Sequence, residues 1–113
     1  MDTLRDRLEF RLDVIISTVL LYLPRGYMDY HVPKFILNPS DRESDMIAGN
    51  GIINLVLTYR LLNIVLECLS DSNKTSLTLD DLCDEISKYD SLINISDSDK
   101  SLINDSIEII SSI

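Results

Sequence analysis

Apolar residues recur along the first part of the chain at steps of three and four: Leu4, Leu8, Leu12, Ile15, Val19 and Tyr22. That spacing returns to one side of a helix at each turn and predicts a helix over 3–23 with a single inward face. Asp2 is placed to cap its start, and Pro24 followed by Gly26 ends it. The first half, "RDRLEFR", has a charged outer face on which Arg5 and Glu9 are spaced for an i,i+4 ion pair. The second half, "VIISTVLLYL", is apolar nearly all round, so it should be the more deeply buried. It is too short to span a bilayer.

All three prolines fall within residues 24–43, "PRGYMDYHVPKFILNPSDRE". Proline removes a backbone donor and biases the residue before it away from helix, so an extended strip is expected here. Five large side chains, Tyr27, Tyr30, Val32, Phe35 and Leu37, would pin that strip across the helices. The pattern then changes again. Residues 44–69 predict the central helix, with Ser44 as its cap and the "NG" pair at 50–51 either kinking it or restarting it from Asn50. "IINLVLTYRLLNIVLECL" is apolar on almost every side, with Asn54, Thr58, Arg60, Asn63 and Glu67 gathered loosely on one flank. Such a helix belongs in the middle of a bundle.

"SDSNKTS", 70–76, reads as a loop. A short helix should open at Thr78, with Asp81 three residues on, and carry Leu79, Leu82, Cys83 and Ile86 inward. "SKYDSLINIS" is a second connection. Ser96 or Ser98 then caps a last helix striped by Leu102, Ile103, Ile107, Ile110 and Ile113. The end of the central helix and these two helices together resemble the three-helix core of winged-helix domains. The β-hairpin wing expected after the third helix is not evident.

Charge changes what such a unit can hold. The chain has a net charge of −9. Residues 1–70 hold nine acids and seven bases; residues 71–113 hold ten acids and three bases. In a DNA reader the third helix would enter a groove, yet the outward positions expected of it include Asp99, Lys100, Asn104, Asp105 and Glu108. Carboxylates there oppose phosphate, and no arginine is present to grip guanine. Direct nucleic-acid binding and an anionic membrane surface are therefore disfavoured, and a protein partner, basic in character, is favoured.

Catalytic and metal chemistry find little to build on. There is one histidine, His31, in the proline-rich strip, and two cysteines, Cys68 and Cys83, both beside apolar neighbours and both expected as free, buried thiols. An enzyme would need a pocket gathering His31, Cys83 and several acids. No CxxC, calcium-loop spacing or glycine-rich phosphate loop occurs. The expectation is no catalytic residue, no cofactor and no metal ligand. "GNGIINLVL", 49–57, resembles the start of the central helix of Bcl-2-like proteins, some of which are small, acidic and viral. It lacks the arginine that follows the asparagine–glycine pair in that family.

The expectation is thus an all-α single domain, 1–113, of four to five helices around a central apolar helix, with an acidic helix-turn-helix-like unit at its end. Its expected role is a non-enzymatic protein–protein interaction module, an intracellular small subunit or adaptor, with a homodimer as one form of association. The alternatives are a winged-helix protein reaching chromatin through a partner, and a small Bcl-2-like protein. Two partner-binding surfaces are candidates. One is apolar, Leu4, Leu8, Tyr27, Tyr30 and Phe35. The other is acidic, Asp80, Asp81, Asp84, Glu85, Asp97, Asp99 and Asp105, and should weaken with salt.

Overall fold

The computed structural model describes residues 3–70, 84, 87–88 and 95–111. Every element assigned among them is helical: α1 (Leu4–Leu20), a 3₁₀ turn (Asp29–His31), α2 (Val32–Leu37), α3 (Asp41–Asn50), α4 (Ile53–Ser70) and α5 (Asp97–Ser111). The expected helix opening at Thr78 lies almost wholly outside the described residues; Asp84, Ser87 and Lys88 are helical.

The first helix begins one residue later than expected, and Thr3 rather than Asp2 caps it. The Thr3 hydroxyl accepts from the Asp6 amide at 3.1 Å while the Asp6 carboxylate accepts from the Thr3 amide at 3.3 Å. This reciprocal box satisfies two donors that a helix start leaves open. Leu8, Leu12, Ile15 and Val19 are its buried face, as their spacing requires. Arg5 Nε pairs with Glu9 at 3.3 Å across one turn. Depth rises along the helix as expected: from Val14 to Leu20 only Ser17 is exposed, against five of the seven residues from Leu4 to Phe10, while Leu21 and Tyr22, beyond its end, are exposed.

The proline strip is not extended. Met28–His31 close a tight turn, and α2 follows with Pro33 in its first turn, where the missing amide hydrogen would have had no helical partner anyway. Val32, Phe35 and Ile36 from this short helix are fully enclosed. Arg60 of α4 donates Nε to the Ile36 carbonyl at 2.9 Å, meeting an acceptor that the end of α2 leaves open.

Ser44 does not cap the next helix. Ser40 does so four residues earlier, in a box with Glu43, so "SDRE" opens α3 and Ser44 falls inside it. Asn50 closes α3 instead of starting α4. Gly51 then takes φ +67°, its amide bonds Ala48 O, and the Ile52 amide reaches back to Ile47 O, both at 3.3 Å. Ile47 and Ile52 are both buried at this corner. The paired bonds and apolar contact are those of a Schellman stop. It turns the chain by 117° between α3 and α4.

The eighteen residues of α4 are the centre of the molecule. Val56, Tyr59, Leu61, Leu62, Val65 and Cys68 are buried, and only Ile53, Asn54 and Glu67 are exposed along its described side chains. The helix α1 packs along it, α5 lies against both, and α2 and α3 cover further parts of its surface. Each large aliphatic side chain so enclosed contributes about 1.5–3 kcal/mol relative to exposure. Among the described residues, no single helix is long and apolar enough to cross a membrane.

Substituting Gly51 with alanine tests the corner alone. A Cβ there would meet nothing within 4 Å, so the cost is that of the left-handed backbone. We expect Gly51→Ala to lower stability by about 1 kcal/mol in urea unfolding, with Gly49→Ala, in the last turn of α3, neutral or stabilising.

Candidate functional surfaces

The acidic surface is reorganised by one long-range contact. Asp99 is 4 % exposed, not outward-facing. It sits in the first turn of α5, where the Ser96 hydroxyl accepts from its amide at 3.2 Å and donates to its Oδ2 at 2.9 Å. From α1, Arg11 donates Nε to Oδ1 at 3.0 Å and Nη2 to Oδ2 at 3.2 Å. This is a two-pronged guanidinium–carboxylate clamp, the stronger and more directional form of such a pair. Ser96, not Ser98, is therefore the cap of α5. Nearby, Arg7 lies 3.6 Å from half-buried Asp105, a second, more exposed tie between the same helices.

Of the seven acidic candidates, Asp84 and Asp97 are exposed, Asp105 is half-buried and paired, and Asp99 is buried and paired. Asp80, Asp81 and Glu85 lie outside the described residues. Arg7, Phe10, Arg11, Ser96, Ser98, Asp99 and Leu102 line an open groove of about 490 Å³ where α1 meets the start of α5. Phe10, which the sequence pattern did not single out, is 71 % exposed at that groove.

The apolar candidates divide. Leu8 and Phe35 are in the core and offer no surface; Leu4 and Tyr27 are half-buried; Tyr30 is 70 % exposed. Five of the eight large apolar side chains exposed among the described residues are Leu21, Tyr22, Met28, Tyr30 and Leu37. They fall on the connection between α1 and α3, with Tyr30 the most prominent aromatic. Helix α2 takes Val32, Phe35 and Ile36 inward, so the exposed apolar groups of this segment are other residues than most of those expected from the sequence.

A second cleft, of about 430 Å³, opens in that same segment between Arg25, Gly26, Tyr27, His31, Lys34 and Glu43. Gly26 holds φ +105°, a conformation few other residues adopt, and so bends the chain around the cleft's edge. The Tyr27 ring meets Phe35 and His31 edge-on, at centroid distances of 6.1 and 6.2 Å. His31 Nδ1 accepts the Met28 amide at 2.9 Å, which leaves the ring proton on Nε2. The Tyr27 hydroxyl donates to Glu43 Oε2 at 3.3 Å and the Ser40 amide to Glu43 Oε1 at 3.0 Å. The Ser40 backbone bond chiefly, aided by the Ser40 and Tyr27 hydroxyls and by Lys34, outweighs burial and holds the Glu43 carboxyl below its ordinary 4.5.

Burial, and secondarily Asp13, pushes the Tyr59 hydroxyl up. Cys68 is buried; Cys83 lies outside the described residues. Among the described residues no three metal-ligating side chains converge. Comparison with protein-family models, with curated sequences and with solved structures yields no significant match.

Two measurements check these contacts. Arg11→Ala leaves the enclosed Asp99 carboxylate with Ser96 as its remaining side-chain partner. It should cost about 2 kcal/mol, above the 0–1 of an exposed pair and below the 3–5 of a fully buried one. Arg5→Ala, at an exposed pair, should cost little. A carboxyl with a lowered folded value stabilises the fold above its unfolded value, and that contribution fades as pH falls through the folded one. Glu43→Gln should therefore narrow its stability deficit against the parent chain as pH drops from about 5 to about 3.

Proposed function

We propose that this chain is a non-enzymatic protein–protein interaction module, a small subunit or adaptor within a larger assembly, with self-association as one of its modes. The observation that carries this reading is the concentration of exposed large apolar side chains on residues 21–37, around Tyr30. The end of α1, a tight turn and a short helix present them, and Val32, Phe35 and Ile36 of that short helix are core. Exposed aromatic anchors on a rigid support are what protein interfaces use most effectively. The acidic half of the chain supplies a second, electrostatic element. Asp84 and Asp97 face solvent there, and residues 71–113 carry ten acids against three bases. Through it the helix-turn-helix-like unit would engage a basic protein rather than a phosphate backbone.

The test is paired. Affinity capture from the native source with the parent chain, and with a Met28→Ser/Tyr30→Ser variant, should recover a protein partner or a second copy that the variant loses. The variant should unfold within a few degrees of the parent, since both side chains are exposed. Retention of DNA by the isolated chain at physiological salt would overturn the reading in favour of a winged-helix role, as would failure to recover any partner or self-associate.

A further inference from the structure

The cleft at Arg25, His31 and Lys34 combines features that the other described residues do not. On α1, Arg5, Arg7 and Arg11 are each committed to a carboxylate. The side chains of Arg25 and Lys34 make no ion pair or hydrogen bond among the described residues, although the chain carries nine more negative than positive charges and Lys34 acts on Glu43 through its charge. Both line one concave space. His31 joins them with a fixed donor, because its Nδ1 is occupied by the Met28 amide and its Nε2–H is left over. The frame is stiff: Tyr27 is wedged edge-on between His31 and Phe35, and Phe35 is anchored in the core.

From this we infer that the cleft binds a phosphate monoester. A guanidinium presents paired N–H donors, an ammonium adds a mobile positive charge, and the imidazole adds one directed N–H. These donors outnumber the two oxygens of a carboxylate and suit the three terminal oxygens of a phosphate group. Glu43, the one acid in the lining, has both oxygens engaged by Ser40 and Tyr27, and Lys34 offsets its charge. A volume of about 430 Å³ exceeds what a free phosphate ion fills and leaves room for the esterified group beside Tyr27. This inference stands on the cleft alone and does not depend on the apolar surface acting as an interface.

The experiment is a titration of the full ¹⁵N-labelled chain at constant ionic strength with phenyl phosphate, inorganic phosphate and acetate, followed by amide shifts. Phenyl phosphate should give saturable shifts at Gly26, Tyr27, His31 and Lys34, at lower concentration than inorganic phosphate; acetate should give none that saturate. Arg25→Ala and Lys34→Ala should each weaken phenyl phosphate about tenfold, the loss of one charged hydrogen bond. Lys100→Ala, on α5, should leave it unchanged. Both cleft residues are exposed, and the same spectra report whether each variant is folded. The inference is overturned by shifts that fail to saturate, by acetate matching phosphate, by inorganic phosphate matching the ester, or by equal weakening in all three variants.

Discussion

A helix with almost no face fit for water governs this fold. Nearly every turn of α4 carries large apolar side chains on several sides at once, so no single neighbour can shield it. The chain answers with α1 along its length, α5 against both, and the short helices α2 and α3 over further parts of its surface. Each cover has its own device for being there. Phe35 and Ile36 anchor α2, the left-handed Gly51 swings α3 away by 117°, and Arg60 reaches from α4 to the end of α2. Such burial is non-directional. It explains why the bundle is compact but not why it is unique.

Uniqueness comes from the polar contacts at its seams. Arg11 and Asp99 are 88 positions apart and form a two-pronged clamp where α1 meets α5. Asp99 serves the cap of its own helix through Ser96 at the same time. A carboxylate so enclosed is tolerable only while its partners are in place, so the register between the first and last helices is fixed. The same economy runs through Glu43, which caps α3 and holds the Tyr27 hydroxyl. Local capping and long-range docking share side chains, which couples secondary structure to packing.

That coupling also sorts the charges. Cations on α1 are drawn to acids, its own and those of α5, and are spent on structure. Side-chain cations on the connection between α1 and α3 make no such pair, and among the described residues this same connection exposes five of the eight large apolar side chains left uncovered. A helix and a tight turn, unlike an open loop, hold these groups in fixed relation, as recognition requires. The acidity of the chain as a whole hides this local contrast.

The sequence alone determined the periodic features. The buried face of α1, the apolar body of α4 and the Arg5–Glu9 pair follow from spacing along one helix, since the side-chain directions are set by 3.6 residues per turn. Helix ends were legible in principle but were misplaced: "SDRE" carries its capping box openly at Ser40 and Glu43, and the prolines drew attention away from it. Pro33 looked like a break because a first-turn position cannot be told from an interior one by composition. What only the tertiary structure decided is pairing between distant elements. Asp99 reads as one more solvated acid until Arg11 arrives beside it, and Leu8 and Phe35 read as sticky surface until α4 covers them. Burial of a given side chain is a property of its neighbours, and those are chosen by the fold as a whole.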